Sequence, residues 1–256
     1  MTRIRARSRP EAPGSSKTRA HSARQERLSP VQLLVGAPYR LAAVTSREIV
    51  VGVSGGSGAR LGKRFVEIVL ASRGLARLHL VVSDSALLVA RTEIAPDIGS
   101  SEAWAAALDV PRELRRRLQI HPNADVGASI ASGSYAVAGM AVVPCSGGTL
   151  GSIAQGVGRD LLQRAADVCL KERRPLILAL RESPYSLVHV ENMRRVTLAG
   201  AIVAPPVPAF YVSSPSIDRF LDAYCARVAR ILGLEPRGED FRWTGRREAA
   251  RRRRRS

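Results

Sequence analysis

Glu48-Ile49-Val50-Val51-Gly52-Val53-Ser54-Gly55-Gly56-Ser57-Gly58-Ala59 is the stretch on which the reading of this 256-residue chain turns. Its first half is a short β-branched run, the pattern of a buried strand. Its second half is a glycine-rich turn that opens directly into helical spacing, because Leu61, Phe65, Ile68 and Val69 recur between Ala59 and Arg73. A strand that passes through glycines into a helix brings backbone N–H groups close to whatever binds there, and the start of the helix favours an anion. Ser54 and Ser57 are expected to add hydroxyl donors.

Downstream, the same alternation repeats. Strands are expected at 78–82, 140–144, 175–180 and 201–203. Helices are expected at 85–93, 102–108, near 111–118, at 150–169, at 186–199 and at 217–232. Short apolar strands separated by helices indicate an α/β fold, a parallel sheet covered on both faces. In such sheets ligands bind outside the carboxyl ends of the strands, so the strand-to-helix loops should carry the chemistry.

Those loops hold suggestive residues. The dinucleotide fingerprint is met only loosely at residues 52–58, and the second strand ends in Val82-Ser83-Asp84-Ser85 without the usual ribose-binding acid. A mononucleotide phosphate or a flavin therefore fits better than a nicotinamide dinucleotide. A second loop, Pro144-Cys145-Ser146-Gly147-Gly148-Thr149-Leu150, again joins a strand to a helix, with Ser146 and Thr149 as donors. Cys145 has no histidine near it in sequence and reads as a small buried thiol. Arg181 and Glu182 end a buried strand, where a cation can hold phosphate and a carboxylate can move protons. Lys171-Glu172-Arg173-Arg174 alone reads as a solvated helix end.

Composition bounds the rest. Apolar residues make up 45% of the chain but aromatics only 4%, so a core of Ala, Val, Leu and Ile is expected. The net charge of +18 lies mostly at the ends: residues 1–49 carry +7 and residues 237–256 carry +6. A basic, disordered tail is expected over 1–45, one folded domain over 46–236, and an Arg-rich tail over 237–256, read as solvated. Contact of these tails with nucleic acid is the lesser expectation. Three separated cysteines, Cys145, Cys169 and Cys225, suit neither a disulfide framework nor a zinc site. No membrane span or secretory signal is expected, and a cytoplasmic location is the default, with organelle targeting by the N-terminal tail ranked second.

Taken in order, eight blocks make the chain resemble the UbiX and Pad flavin prenyltransferases. They are residues 52–59, Ala131-Ser132-Gly133-Ser134, Pro144-Cys145-Ser146, Arg164-Ala165-Ala166-Asp167-Val168, Leu170-Lys171-Glu172-Arg173-Arg174, Arg181-Glu182-Ser183-Pro184, His189-Val190-Glu191-Asn192-Met193 and Pro208-Ala209-Phe210-Tyr211. The resemblance spans roughly residues 50–234. It implies a Rossmann-like, flavodoxin-like three-layer fold with a mostly parallel sheet, a homo-oligomer, generally a dodecamer, and active sites between subunits. It also implies transfer of a dimethylallyl group from dimethylallyl phosphate to N5 and C6 of reduced FMN, without a metal, to make the cofactor of UbiD-type decarboxylases.

Carried over by motif, Gly55, Gly56, Ser57, Ser83, Ser146, Gly147, Gly148, Thr149 and Arg164 are implied FMN contacts, with Ser57 near N5. Lys171, Arg181, Tyr211 and Arg227 are implied to hold the prenyl phosphate, with Ser132 and Gly133 from the loop of a neighbouring subunit. Arg230 competes with Arg227 for its place. Glu93 and Glu182 match the acidic active-site residues, and Glu182 is the implied proton-transfer group. Gly147-Gly148 stands where many relatives carry bulkier residues, which implies a looser flavin-side loop. The chief rival is a flavin-binding carrier that delivers FMN or prenylated FMN without catalysis. A flavin-dependent cysteine decarboxylase fits less well, since the only histidine between the first helix and the second strand is His79, inside a strand.

Overall fold

A computed structural model describes residues 47–212 and 216–243. The expected tail over 1–45 therefore lies outside the described residues. Strands β1 (Arg47–Val53), β2 (Leu75–Val82), β3 (Leu118–His121), β4 (Gly139–Cys145), β5 (Leu176–Leu180) and β6 (Ile202–Val203) form one sheet. Its order is β3-β2-β1-β4-β5-β6, and every neighbouring pair is parallel. The strand order reverses between β1 and β4, which makes the crevice outside their carboxyl ends the natural ligand site.

Alternate residues along each strand face opposite layers. Ile49, Val51 and Val53 of β1 join Leu78, Leu80, Val82, Ala141, Val143, Ile177 and Ala179 in one core. Helices α1 (Ala59–Ala71) and α8 (Ile217–Ile231) cover that face through Phe65, Val69, Cys225 and Val228. Val50, Val81, Met140, Val142, Leu176 and Leu178 face the other way. Helices α5 (Gly147–Ala154), α6 (Leu161–Lys171) and α7 (Leu187–Leu198) lie on that side, with Leu150, Leu162, Ala166 and Val196 buried there. Among the described residues no helix is long and apolar enough to cross a membrane.

Two expected elements differ from what is found. The single helix expected over 150–169 is two, α5 and α6, separated at residues 155–160, where Gly156 has a φ of +67° and Asp160 caps a new helix by accepting from the Gln163 N–H. The helix expected near 111–118 shrinks to one turn, α4 (Arg112–Arg115), and Leu118–His121 instead forms the edge strand β3. Arg115 holds that turn by donating to the carbonyls of Ala105, Ala106 and Leu108 at the end of α3 (Ser101–Ala106). Of the tail expected over 237–256, residues 239–240 pair with Arg219 and Arg230 of α8, and residues 244–256 lie outside the described residues.

Candidate active site

The first half of the site grows from the β1 and β4 loops, which one serine joins. Ser54 is buried, its hydroxyl donates to the Pro144 carbonyl (3.1 Å), and it accepts from the Ser146 N–H (2.8 Å). Ser54 thus fixes the two loops to each other and is not a ligand donor, contrary to the expectation from its sequence position. Ser57 remains exposed. Gly58 has a φ of +116°, the left-handed region that a side chain resists, and this turn lets the chain enter α1.

The start of α1 is already filled. Helix α2 (Asp84–Glu93) lies along the glycine loop: Ser85 at one end is so close to Gly55 that an added Cβ there would be 2.4 Å from its own Cβ. At the other end Glu93 accepts from the Gly58 N–H (2.8 Å) and the Ala59 N–H (2.6 Å). The anion expected from a ligand at this helix start is therefore a carboxylate of the chain itself. Burial works to raise the Glu93 carboxyl, but hydrogen bonds from Ser57, Gly58 and Ala59 and the nearby Arg181 charge outweigh it and hold it below the usual carboxylate range. Arg181 closes the group by donating from Nε to the Ser57 carbonyl (2.8 Å).

The start of α5 is open. The Ser146 hydroxyl accepts from the Thr149 N–H (3.2 Å) and donates to Thr149 Oγ1 (3.0 Å), so the Thr149 hydroxyl keeps its own proton for a ligand. A Cβ on Gly148 would meet nothing within 4 Å. At Gly147 the space is taken by His189 Nε2, 2.8 Å from where a Cβ would stand, with a Glu182 carboxylate oxygen at 3.8 Å. The missing side chain does not loosen this loop as expected; a histidine from α7 fills the gap. His189 Nδ1 accepts from the Ser186 N–H (3.2 Å) while Ser186 caps the helix, so the ring proton sits on Nε2 and faces Gly147. His189 was quoted in sequence only as part of a family block, because nothing along the chain shows that α7 folds back over α5. Ser83 caps α2 by accepting from the Ala86 N–H (3.2 Å) at the neighbouring strand end.

The residues expected to hold the prenyl phosphate do not converge within one chain. Lys171 ends α6 just before β5 begins, whereas Arg181 follows its last residue. Five extended residues, roughly 17 Å, place them at opposite ends of the sheet. Lys171 lies instead beside Gly133, whose added Cβ would be 2.6 Å from Lys171 Nζ, and pairs with Glu172 (2.6 Å). Ser132, Gly133 and Lys171 therefore form a second patch, held by Arg174, which donates to the Gly133 (2.8 Å) and Tyr135 (2.7 Å) carbonyls. Arg164, an implied FMN contact, is engaged near that loop, with Ala131 (3.1 Å) and Asp167 (2.6 Å).

Tyr211 and Arg227 line a third region, a cavity of about 540 Å³ on the outer side of α8, together with Arg230, Phe241, Arg242 and Trp243. Trp243 meets the Tyr211 ring edge-on at 5.6 Å. Arg230 is paired with Asp240 (3.4 Å), whereas Arg227 has no ion-pair partner among the described residues, which distinguishes the two candidates. Phe241 and Trp243 were missed in the sequence because they sit in an Arg-rich end. Two aromatics in a chain so poor in them were the available signal.

Known proteins share this framework. A family model described as Flavoprotein matches residues 41–226. A flavin prenyltransferase UbiX of Neisseria meningitidis is 39% identical over 199 residues, covering 78% of this chain and 97% of its own. The chain belongs to the UbiX-type flavin prenyltransferase family. A UbiX flavin prenyltransferase of Deinococcus radiodurans is 40% identical over 191 residues, covering 74% of this chain and 90% of its own. Among solved structures, AnUbiX in complex with FMN and dimethylallyl pyrophosphate superposes with a TM-score of 0.66 at 38% identity, covering 78% of this chain and 99% of that one. A dodecameric FMN-dependent UbiX-like decarboxylase from Escherichia coli O157:H7 has a TM-score of 0.67 at 37% identity, covering 77% and 100%. The chain spans nearly the whole of each of these UbiX-type proteins.

Proposed function

We propose that this protein is a flavin prenyltransferase that transfers a dimethylallyl group from dimethylallyl phosphate to reduced FMN, and that each active site is assembled from more than one copy. The observation that carries the reading is the Ser57–Glu93–Arg181 group standing beside an open helix start at Gly147–Thr149. The family kinship and a relative bound to FMN and dimethylallyl pyrophosphate support it.

The residues present fit a flavin mononucleotide. The N–H groups of Gly147 and Gly148, with the Thr149 hydroxyl, offer an anion site at the start of α5, and the open space at Gly148 admits a ligand. When bound, the reduced flavin supplies the nucleophile, and loss of phosphate from the donor balances the new C–N bond. Arg181 and the second-patch Lys171 stabilise the charge on the departing phosphate, most strongly where water is excluded. Glu93, held ionised, fixes Ser57 and the glycine loop. Glu182 and His189 Nε2–H, both at the edge of Gly147, hold and move protons at the phosphate and at the ring that closes. Tyr211 and Trp243 offer aromatic faces to the allyl group.

Since Lys171, Ser132 and Gly133 stand at the far end of the sheet from Arg181, and Tyr211 and Arg227 line a separate cavity, neighbouring copies in a dodecamer bring the patches together. The product then serves a UbiD-type decarboxylase, in a cytoplasmic setting. The test is anaerobic incubation with reduced FMN and dimethylallyl phosphate, followed by mass analysis of the released flavin. A gain of one five-carbon unit supports the reading. Unaltered FMN, bound and released intact, would establish a carrier instead.

A further inference from the structure

A partly buried polar chain backs the Ser132–Gly133 loop, on the sheet face toward α6. His79, on β2, is fully buried; its Nε2 meets Glu48 Oε2 on β1 at 2.9 Å, and its Nδ1 meets His121 Nε2 on β3 at 3.0 Å. The Tyr135 hydroxyl donates to the same Glu48 oxygen, and its ring stands edge-on to His79 at 5.6 Å. One proton arrangement satisfies every contact. Glu48 is an acceptor, so His79 carries its proton on Nε2. His79 Nδ1 is then an acceptor, and His121 donates from Nε2.

The placement of the ends matters more than the chain itself. His121 is the last residue of β3, and Tyr135 follows the Ser132–Gly133 turn. The loop between them, residues 122–134, is therefore gripped at both ends by one Glu48–His79 pair. Between the grips, Asn123 accepts from the Leu161 and Leu162 N–H groups through its carbonyl (2.8 Å) and its side chain (3.1 Å), starting α6. We propose that Glu48, His79, His121 and Tyr135 are positioning residues that latch this loop, and with it the Ser132–Gly133 half of the donor-phosphate site, and that proton uptake by the histidines releases the latch. The role in donor binding rests on the function proposed above; the latch itself does not.

A second proton on His79 turns Nδ1 into a donor facing another donor, and His121 can answer only by moving its own proton to Nδ1. With both rings charged the 3.0 Å contact opposes two donors and two like charges, and it opens. The other charged or titratable groups around the pair are Arg77 on β2 and Asp125 in the loop. Burial pushes His79 down, with Glu48 opposing and Arg77 adding to it; burial and the charge of His79 push His121 down, with Asp125 opposing. Both folded values are depressed, so the closed loop is favoured above the ordinary histidine range. That preference is lost as pH falls below it toward the folded values.

Hydrogen exchange of the full chain, read on peptides spanning 122–135 at pH 7.5 and 5.5 and corrected for the intrinsic rate, tests this without any ligand. Opening should rise on acidification by up to about tenfold per pH unit for each proton taken up, while peptides of β1 and β4 hold. His121→Gln keeps a donor at the Nε2 position and should flatten that slope. Tyr135→Phe should open the loop about tenfold or more at pH 7.5 and raise KM for dimethylallyl phosphate, with FMN affinity unmoved. Equal opening at both pH values in the unaltered protein, or an unchanged slope in His121→Gln, would overturn the latch. A loosened Tyr135→Phe loop with an unchanged donor KM would overturn its positioning role. Absence of prenyl transfer in the unaltered protein would strike the proposed function and leave the exchange result standing.

Discussion

Replacing Glu93 by glutamine probes the joint on which the first half of the site depends. In the native protein one carboxylate takes the Gly58 and Ala59 N–H groups, at 2.8 and 2.6 Å, with the Ser57 side chain and the Arg181 charge beside it. A hydrogen bond to a charged acceptor is worth about 1.5–3 kcal/mol and a neutral one about 0.5–1.5, so two conversions remove roughly 2 kcal/mol. Loss of a negative charge at the start of α1 adds about 0.3–1 kcal/mol. The variant should therefore unfold in urea with about 2.5–3 kcal/mol less stability at pH 7, measured at a fixed protein concentration. The pH dependence gives the sharper check. Because the folded carboxyl lies below its ordinary value of 4.5, its contribution is complete above that value and is lost as pH falls through the folded one. The gap between native and variant protein should narrow as pH falls below 4.5 and close once the folded carboxyl is protonated. A gap that persists unchanged from pH 7 to pH 3, or that is absent at pH 7, would refute this account of Glu93.

Four further outcomes follow from the geometry. Ser54→Ala removes the two side-chain links between the β1 and β4 loops, sparing the Ser54 N–H bond to the Pro144 carbonyl, and leaves the Ser146 N–H without a partner, so it should cost about 1–3 kcal/mol by denaturation and weaken FMN binding. Trp243→Ala should raise KM for the prenyl donor several-fold while FMN affinity, followed by fluorescence, stays put; removal of residues 244–256 alone should leave both unchanged. His189→Ala empties the space over Gly147 and should lower kcat about tenfold to a hundredfold, with bound flavin retained. Lys171→Ala and Arg181→Ala copies should each be inactive alone, yet regain prenyl transfer when unfolded together and reassembled, because mixed oligomers contain some intact composite sites.

Much of the fold could be read from the sequence because buried parallel strands announce themselves. Ile49-Val50-Val51, Val142-Val143 and Leu176-Ile177-Leu178 are uninterrupted apolar runs, the first two leading into glycine turns and the third bounded by charged residues and proline, and each forms a strand near its expected bounds. β3 escaped because Leu118-Gln119-Ile120-His121 is short, half-buried and directly follows an arginine run that looks helical. Its alternation is also weaker than that of a central strand, since only one neighbour pairs with it. The break between α5 and α6 was signalled by Gly156 and Gly158, but apolar residues on either side kept the helical spacing plausible. The rule that strand carboxyl ends bind ligands pointed to the loops after β1 and β4, and the structure brings those two loops side by side. What resists such reading is distance across the fold. Nothing along the chain reports that Glu93 reaches α1 or that His189 fills the space over Gly147, whereas the expected strand between Lys171 and Arg181 already implied their separation.

The orientation of β5 has a consequence for how such an enzyme behaves at low concentration. With Lys171 before the strand and Arg181 after it, an isolated copy would possess the flavin cradle and lack the remaining cation. Specific activity would then decline steeply on dilution, while the yellow colour of bound flavin faded far less, so turnover per molecule would itself report the state of assembly.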